Sequence, residues 1–233
     1  MDTIAPQAFG SGNLVGVGLT AQRAFLVALL LLVPTTPLWI CAKPILLALG
    51  QDAEVARIAA RYMVLLLPGL IPFVVFEIAR KFLYAQGSAM ALRLPPLWAA
   101  ALGLAGHPLW LRLWCSGALG YMGAPLALST TYLVQALLLV ILIRWRLPHA
   151  HVAWPRGPEQ RAALWRDRAA WRHMASTSVA SLCSLSEWLF WEYVCFRVGL
   201  LGAAPLAVYG IAYSLEPVFF MVRACDHAPT PRG

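Results

Sequence analysis

Long apolar runs separated by short polar segments dominate the chain. Residues 24–42 and 124–143 contain no charged side chain, and each is close to the ~20 apolar residues that a helix needs to cross a bilayer. Further runs are nearly as apolar. The predicted spans cover residues 24–42, 54–84, 94–110, 124–143, 175–198 and 205–222. The pattern therefore predicts an all-α fold, a polytopic transmembrane helix bundle of about six helices.

Changes in composition along the chain predict its organisation. We expect a cytoplasmic loop segment at 1–23, four transmembrane helices at 24–143, a basic cytoplasmic loop at 144–174, two transmembrane helices at 175–222 and a tail at 223–233. Pro68, Gly69 and Pro72 predict a kink in the second span. Residues 159–171 predict an interfacial amphipathic helix. The first ten residues lack the basic and apolar regions of a signal peptide, so none is expected.

The overall composition agrees with a membrane protein. Hydrophobic residues make up 61% of the 233 and charged residues 12%, against about 45–50% and 25% in soluble domains. The mean hydropathy is +0.70. The net charge of +8 does not predict a nucleic-acid partner, because the bases lie between apolar runs, as the positive-inside rule and anionic lipids favour. The expected environment is the lipid bilayer.

The arginines predict the orientation of the chain. Residues 144–172 contain seven Arg but only Glu159 and Asp167 as acids. If this loop is cytoplasmic, alternating spans place thirteen of the eighteen bases on its side. Both termini are then cytoplasmic in an integral, multi-pass membrane protein. The plasma membrane and the vacuolar membrane remain open alternatives.

Motifs of enzymes and metal sites are not found in the sequence. The five Cys are odd in number and widely spaced, without a CxxC pair. Neither a HExxH motif, nor a phosphate-binding glycine loop, nor a serine triad order is present. We therefore expect no enzyme activity, no catalytic residue, no metal site and no cofactor.

Four carboxylates inside or beside apolar spans are the candidates for function: Glu77, Glu187, Glu192 and Glu216. A charge at bilayer depth costs about 2.5–3.5 kcal/mol on insertion scales, so such residues normally face a cavity or a partner. Transfer into an apolar environment raises the pKa of a carboxyl group. Such a group can bind a proton and release it when a cation or water arrives, which is what a transporter requires.

Structural alternatives exist for each of these carboxylates. Glu77 can pair with Arg80 or Lys81 one turn later, as i,i+3 and i,i+4 neighbours do, and we favour that interpretation. Glu187 and Glu192 diverge by about 140° around a helix, so one can line a cavity while the other braces the helix. Glu216 precedes Pro217, where a kinked helix can expose backbone carbonyls to a cation.

Trp188 and Trp191 lie beside two of these carboxylates. Their rings could form cation–π contacts with a small organic cation or drug. Aromatic residues in membrane helices also serve as packing groups or interfacial anchors, and the sequence favours this second role.

Several motifs in consistent order resemble one family. They are Asp2–Gly12, similar to a DTLCGQAFGAG loop; Gln22-Arg23-Ala24, similar to QRA; Gly50-Gln51-Asp52, similar to GQD; Arg80–Gly87, similar to RRFLQAQG; and Glu187–Glu192, similar to EWWxFE. The chain thereby resembles the multidrug and toxic compound extrusion (MATE) transporters of the eukaryotic branch. One departure is Leu189, where the family motif has an aromatic residue.

The resemblance implies a secondary active antiporter that exports organic cations, drugs or toxic metabolites in exchange for protons or sodium. The candidates for substrate or coupling-ion binding in such a transporter are the carboxylates and tryptophans in or beside the apolar spans: Glu187, Glu192, Trp188, Trp191, Glu77 and Glu216. Members of the family have twelve helices, and this chain resembles the third through the eighth, so we expect a truncated or incomplete chain. The alternative is a non-transporting membrane fragment that packs with or regulates a full-length relative. The oligomeric state is left open.

Overall fold

The computed structural model describes residues 1–86, 106–115, 120–146, 154–155, 157–183 and 186–226. Its helices are α1 (Ile4–Gly10), α2 (Leu14–Ile40), α3 (Ala42–Ala48), α4 (Ala53–Ala85), α5 (106–115), α6 (Gly123–Arg146), α7 (Pro158–Arg166), α8 (Arg168–Cys183), α9 (Ser186–Gly199) and α10 (Ala203–Asp226). A short 3-10 helix, Gly120–Met122, precedes α6. Among these residues no strand occurs, and the prediction of an all-α fold is confirmed.

Three helices within the described ranges are long and apolar enough to cross a membrane. They are Leu14–Ile40, Ala53–Ala85 and the segment Gly120–Ile141. The 33 residues of α4 extend about 50 Å at 1.5 Å per residue, longer than the ~30 Å hydrocarbon core. These helices confirm the first, second and fourth predicted spans.

The remaining predicted spans are described only in part. Most of the third, 94–110, lies outside the described residues. The fifth, 175–198, corresponds to the end of α8 and to α9, with residues 184–185 outside the description. The sixth corresponds to α10, whose apolar part runs over Ala203–Leu215. The expected amphipathic helix at 159–171 corresponds to α7 and the start of α8.

The chain separates into two compact units. The first comprises Met1–Ala42 and Ile58–Ser176, and the second comprises Lys43–Arg57 and Thr177–Gly233. The core of the first unit brings together α1, α2, α4 and α6, through small and aliphatic side chains such as Ala5, Val17, Leu83 and Leu139, all fully buried. The unit therefore depends on contacts between segments that are far apart in the sequence.

Residues 1–23, expected as a loop segment, are largely helical. The side chain of Asn13 accepts a hydrogen bond from the Gly16 amide over 2.8 Å, which caps α2 in the way that Asn commonly caps helices. The helix therefore starts about ten residues before the apolar run. The charge of Arg23 suggested a boundary with water, but Arg23 is buried against protein and lies within α2.

Close packing of small residues joins α4 to α6 in the first unit. A Cβ atom added at Gly69 would lie 2.7 Å from Ser129 Oγ and 2.9 Å from Ser129 Cα. One turn further along α4, the rings of Phe73 and Tyr132 are tilted with centroids 5.0 Å apart. Small residues permit such close approach of membrane helices, where dispersion contacts replace the hydrophobic effect.

In the second unit, three adjacent residues join α3 to α4. Gly50 has φ +84° and its amide and that of Gln51 bond to the carbonyls of Leu47 and Leu46, which is a Schellman ending for α3. Asp52 Oδ1 accepts from the amides of residues 54 and 55 at 2.9 and 3.2 Å and caps α4. Each residue of the Gly50-Gln51-Asp52 motif thus has a structural task.

Candidate functional site

Arg23 holds helix α7 against helix α2. Its guanidinium donates to the carbonyls of Ala163 (2.9 Å) and Leu164 (3.5 Å), which belong to the last turn of α7, and the Ala163 carbonyl also accepts from the Asp167 amide over 3.3 Å. It also lies 3.6 Å from the Asp167 carboxylate and 5.9 Å from the ring centroid of Trp171. A cation is favourable at the negative end of a helix. We call this cluster the Arg23 clasp.

The clasp is reinforced from the side of α8. Trp171 Nε1 donates to the Leu164 carbonyl over 2.7 Å, so Leu164 accepts from two residues on different helices. The Asp167 carboxylate accepts from the Ala170 amide over 3.0 Å and so caps α8. The short connection between α7 and α8 is thereby fixed to α2 by hydrogen bonds rather than by apolar contact alone.

The C-terminal part of α4 carries two ion pairs. Glu77 Oε2 accepts from Arg80 Nη2 over 2.6 Å, which is the i,i+3 pairing expected from the sequence. Lys81, the alternative partner, instead bonds to Asp2 over 2.5 Å. Glu77 is therefore engaged by a base on its own helix, as expected for a structural role.

Asp2 lies outside the membrane-spanning segments and has a shifted pKa. Partial burial raises the pKa of its carboxyl group, but the hydrogen bond and positive charge of Lys81 together outweigh burial. The pKa of Asp2 is therefore lower than its ordinary value. The contact favours the ionised form and joins the start of the chain to the end of α4.

A cavity of about 730 Å³ lies in the first unit, next to the Arg23 clasp. It is walled by the N-terminal part of α2, the C-terminal parts of α4 and α6, α7 and Trp154. Its lining residues are Ala21, Gln22, Phe25, Leu26, Val75, Ile78, Ala79, Phe82, Val140, Ile143, Arg144, Trp154, Leu164 and Trp165. None of these described residues is a carboxylate, and none was predicted as a site residue from the sequence.

Glu192 and Trp191 lie on α9 in the second unit, where both are exposed. Within the described part of the chain, Glu192 makes no hydrogen bond or ion pair. Trp191 is 40% exposed and contacts Phe190 edge to face, with centroids 5.9 Å apart. Its carbonyl accepts from the Tyr209 hydroxyl over 3.2 Å. A charged group and aromatic rings thus lie on one helix without a protein partner for the charge.

Glu187 and Trp188 belong to α9, and Glu216 belongs to α10. Their side chains lie outside the described residues, so their predicted roles stay predictions. Glu192 and Trp191 are adjacent on α9, in the second unit, and Glu77 belongs to α4, in the first unit.

Comparison with known proteins gives a consistent result. A family model described as MatE matches residues 1–93. Multidrug and toxin extrusion protein 1 of Rattus norvegicus is 31% identical over 223 residues, which cover 96% of this chain and 38% of that protein. The protein of the same name in Homo sapiens is 30% identical with the same coverage. An uncharacterized transporter of Schizosaccharomyces pombe is 29% identical and is covered to 40%.

The resemblance to the MATE family is confirmed. The crystal structure of the eukaryotic MATE transporter AtDTX14 superposes with a TM-score of 0.73 at 20% identity, covering 93% of this chain and 47% of that one. The likeness shows that the helices have a MATE-type fold. This is an integral, multi-pass membrane protein, and the chain spans about two fifths of the length of the curated relatives it matches.

Two features of this MATE-type chain were missed by sequence reasoning. Arg23 was interpreted as part of a family motif at the end of the expected loop segment, although a base directly ahead of a purely apolar run is a signal for a buried partner. The cavity had no signal at all. Its walls come from helices up to 144 residues apart, and only the three-dimensional arrangement brings them together.

Proposed function

We propose that this chain forms part of an efflux antiporter that exports organic cations, drugs or toxic metabolites in exchange for protons or sodium. The observation that supports this most strongly is the similarity to multidrug and toxin extrusion proteins over almost the whole chain. Fold alone would not be sufficient, because one fold can host unrelated functions. The order of the motifs and the fold agree with the same class of transporter.

Glu192 is the residue we propose for substrate or coupling-ion binding. It is exposed on α9 and has no hydrogen bond or ion pair among the described residues. A carboxylate in this situation favours a cation from solution, whether a proton, sodium or an organic cation. Phe190 and Trp191, 58% and 40% exposed, add aromatic faces that favour an organic cation through cation–π contacts.

The other predicted residues have different support. Glu187, Trp188 and Glu216 are proposed from the sequence alone, as two carboxylates and an aromatic residue in or beside predicted spans. Glu77 is paired with Arg80 at 2.6 Å, and we propose that this pair stabilises α4 rather than binding substrate. Relatives of this chain are transporters, so the proposal requires neither an enzyme activity nor a cofactor.

Transport into proteoliposomes tests the proposal. Because this chain is proposed as part of a transporter, the protein is purified in its full-length form, reconstituted and mixed with a fluorescent organic cation while a proton gradient, a sodium gradient or no gradient is imposed. We expect accumulation driven by one of the two gradients, which also identifies the coupling ion. Accumulation that is the same with and without a gradient, and the same as in protein-free liposomes, would contradict the proposed function.

Two matched variants test whether Glu192 belongs to the binding site, independently of whether the protein is an antiporter. Glu192→Gln removes a titrating group on α9, and Glu159→Gln makes the same chemical change at an exposed position of α7. We expect gradient-driven transport to fall only in the first. Equal transport by both variants would leave the antiporter in place and exclude Glu192 from its binding site.

A further inference from the structure

The cavity beneath the Arg23 clasp has the size and position of a ligand site. Its volume of about 730 Å³ lies within the 300–1,000 Å³ typical of small-molecule pockets. The residues of α4 that line the cavity, Val75 to Phe82, extend over about 10 Å along the helix axis, at 1.5 Å per residue. The lining residues of α2 lie at the start of its long apolar part, and those of α4 and α6 come near the C-terminal ends of their helices. The cavity therefore lies toward one end of the bundle.

The lining is mostly apolar. The helices contribute aliphatic and phenyl groups, and the polar side chains include Gln22 and the cationic Arg144. No carboxylate is among the described lining residues. An organic cation would meet a like charge and no acid among them, so the cavity is a poor match for the exported substrate. An amphiphile with an apolar chain and a negative head group matches the apolar walls and the cationic side chain.

The surroundings favour a lipid as the source of that amphiphile. The connection that begins with Arg144 contains seven Arg against two acids over residues 144–172. Basic segments at a membrane surface attract anionic lipids by about 1 kcal/mol per Lys or Arg. Trp154 and Trp165, which also line the cavity, are of the type that settles at the membrane–water interface.

The cavity is also preformed on the side of α7. Leu164 and Trp165 of α7 line it, and α7 is fixed to α2 by the hydrogen bonds of Arg23 to the carbonyls of Ala163 and Leu164. Binding then does not require this wall to be ordered, which favours affinity.

We propose that this cavity binds an acyl chain of an anionic phospholipid, with the phosphate beside Arg144. Arg144 makes other contacts in the protein as well, and its positive charge is what selects the head group. The site is distinct from Glu192 and does not depend on the antiport proposed above.

Photo-crosslinking of the full chain tests this site. The purified protein in lipid nanodiscs receives phosphatidylserine or phosphatidylcholine with a photoactivatable group near the end of one acyl chain, and labelled peptides are mapped by mass spectrometry. We expect labelling of the α2 and α4 segments that line the cavity. Phosphatidylserine should label them about fivefold more than phosphatidylcholine, as one basic residue at the surface gives about 1 kcal/mol.

Three variants distinguish the cavity from the general lipid surface. Ala79→Phe places a ring in the cavity and should abolish labelling there, while Ala207→Phe, the same change at an exposed position of α10, should not. Arg144→Gln should remove the preference for phosphatidylserine and retain labelling by phosphatidylcholine. Excess unlabelled phosphatidylserine should compete in the unaltered protein, which tests the site even if Ala79→Phe fails to fold.

Several results would overturn the proposal. These are equal labelling by the two phospholipids, labelling confined to α9 and α10, and competition by a free fatty acid but not by phosphatidylserine. The last would identify a fatty-acid site instead of a phospholipid site.

Discussion

Arg23 in the first unit and Glu192 in the second show two different ways of placing a charge in an apolar helix. Arg23 is 4% exposed and its guanidinium is bound by two carbonyls, a carboxylate and an aromatic ring. Glu192 is exposed and has no such partner among the described residues. A charge that the protein itself satisfies is a structural element, and one that it leaves unsatisfied is available to a ligand.

The same difference extends to the packing of the helices. In the first unit α4 and α6 approach so closely at Gly69 that there is no space for a methyl group. In the second, large apolar side chains of α9 and α10 such as Leu189 and Val208 are 66% and 69% exposed. Lipid tails are as apolar as these side chains, so their exposure carries no penalty in a bilayer. Substitutions at the contact between α4 and α6 should therefore destabilise the protein far more than substitutions at exposed apolar positions such as Leu189 or Val208.

The largest effect on stability should come from Arg23→Gln. The amide cannot reproduce the two charge-assisted hydrogen bonds, each worth about 1.5–3 kcal/mol, to the end of α7. We expect a loss of about 3 kcal/mol, discounted for the half-exposed Asp167. Thermal unfolding of the detergent-purified protein, followed by tryptophan fluorescence, measures it.

Arg197→Gln is the matched control, since Arg197 is exposed on α9. It should change the unfolding temperature little. If the two variants unfold at the same temperature, the Arg23 clasp does not stabilise the first unit and the comparison with Glu192 loses its basis.

The next effect should come from Gly69→Ala. Its Cβ would lie within 3 Å of Ser129, and overpacking of this kind costs about 1–3 kcal/mol. Gly210→Ala adds the same methyl group on α10, where nothing lies within 4 Å, and should be neutral or stabilising by up to about 1 kcal/mol. Size-exclusion profiles after a temperature ramp measure both, and a similar loss in both would show that the packing difference between the units is not real.

These differences also show which features of the fold follow from the sequence. Long runs without charge, at 24–42 and 124–143, specify membrane helices because hydrocarbon excludes charged and unpaired polar groups. Gly50 and Asp52 specify a turn because their backbone and capping preferences are local. The sequence misplaced the start of α2, since the charge of Arg23 was taken to mean contact with water. Its true partners lie 140 residues later, and a local pattern contains no information about them.

The candidate site follows from the sequence only in part. The i,i+3 spacing of Glu77 and Arg80 indicated that the two can pair on a helix, and the structure contains that pair. The exposure of Glu192 could not be deduced, because it depends on which neighbours cover α9. The cavity requires the mutual arrangement of four helices, which no single segment specifies.

Substitution of Glu192 and of Glu77 should affect transport differently, by a free energy smaller than the losses of stability predicted above. Glu192→Gln should lower gradient-driven transport at least tenfold, which corresponds to about 1.4 kcal/mol. Glu77→Gln should leave the transport rate nearly unchanged and reduce stability by less than about 1 kcal/mol, because its ion pair with Arg80 is partly exposed. The transport rate of a fluorescent cation in proteoliposomes, normalised to the amount of reconstituted protein, measures the effect of each variant. A larger loss of transport in Glu77→Gln than in Glu192→Gln would place the carboxylate required for transport in the first unit.

The smallest effect should be a pH dependence at the start of the chain. The pKa of Asp2 is lowered in the folded protein by Lys81, so its contribution to stability is present above the unfolded pKa of about 4 and is lost as pH falls through the folded value. The side chain of Asp2 is 71% exposed, which limits the contribution to a few tenths of a kcal/mol, up to about 1. Asp2→Asn should therefore weaken the dependence of stability on pH below about pH 4. At neutral pH the variant should be less stable than the unaltered protein by the same small amount. An unchanged acid profile would show that the contact with Lys81 does not contribute.

The distance along the chain between Arg23 and its partners has a consequence for biosynthesis. Arg23 donates to carbonyls 140 and 141 residues later. At ~5–20 residues per second, roughly 7 to 28 s pass between the synthesis of the base and that of its acceptors. During that time the guanidinium needs another environment, and the lipid head groups at the end of the nascent helix provide it. The contact between α2 and α7 can thus form only after α7 has emerged from the ribosome, so it belongs to a late step in the assembly of the first unit.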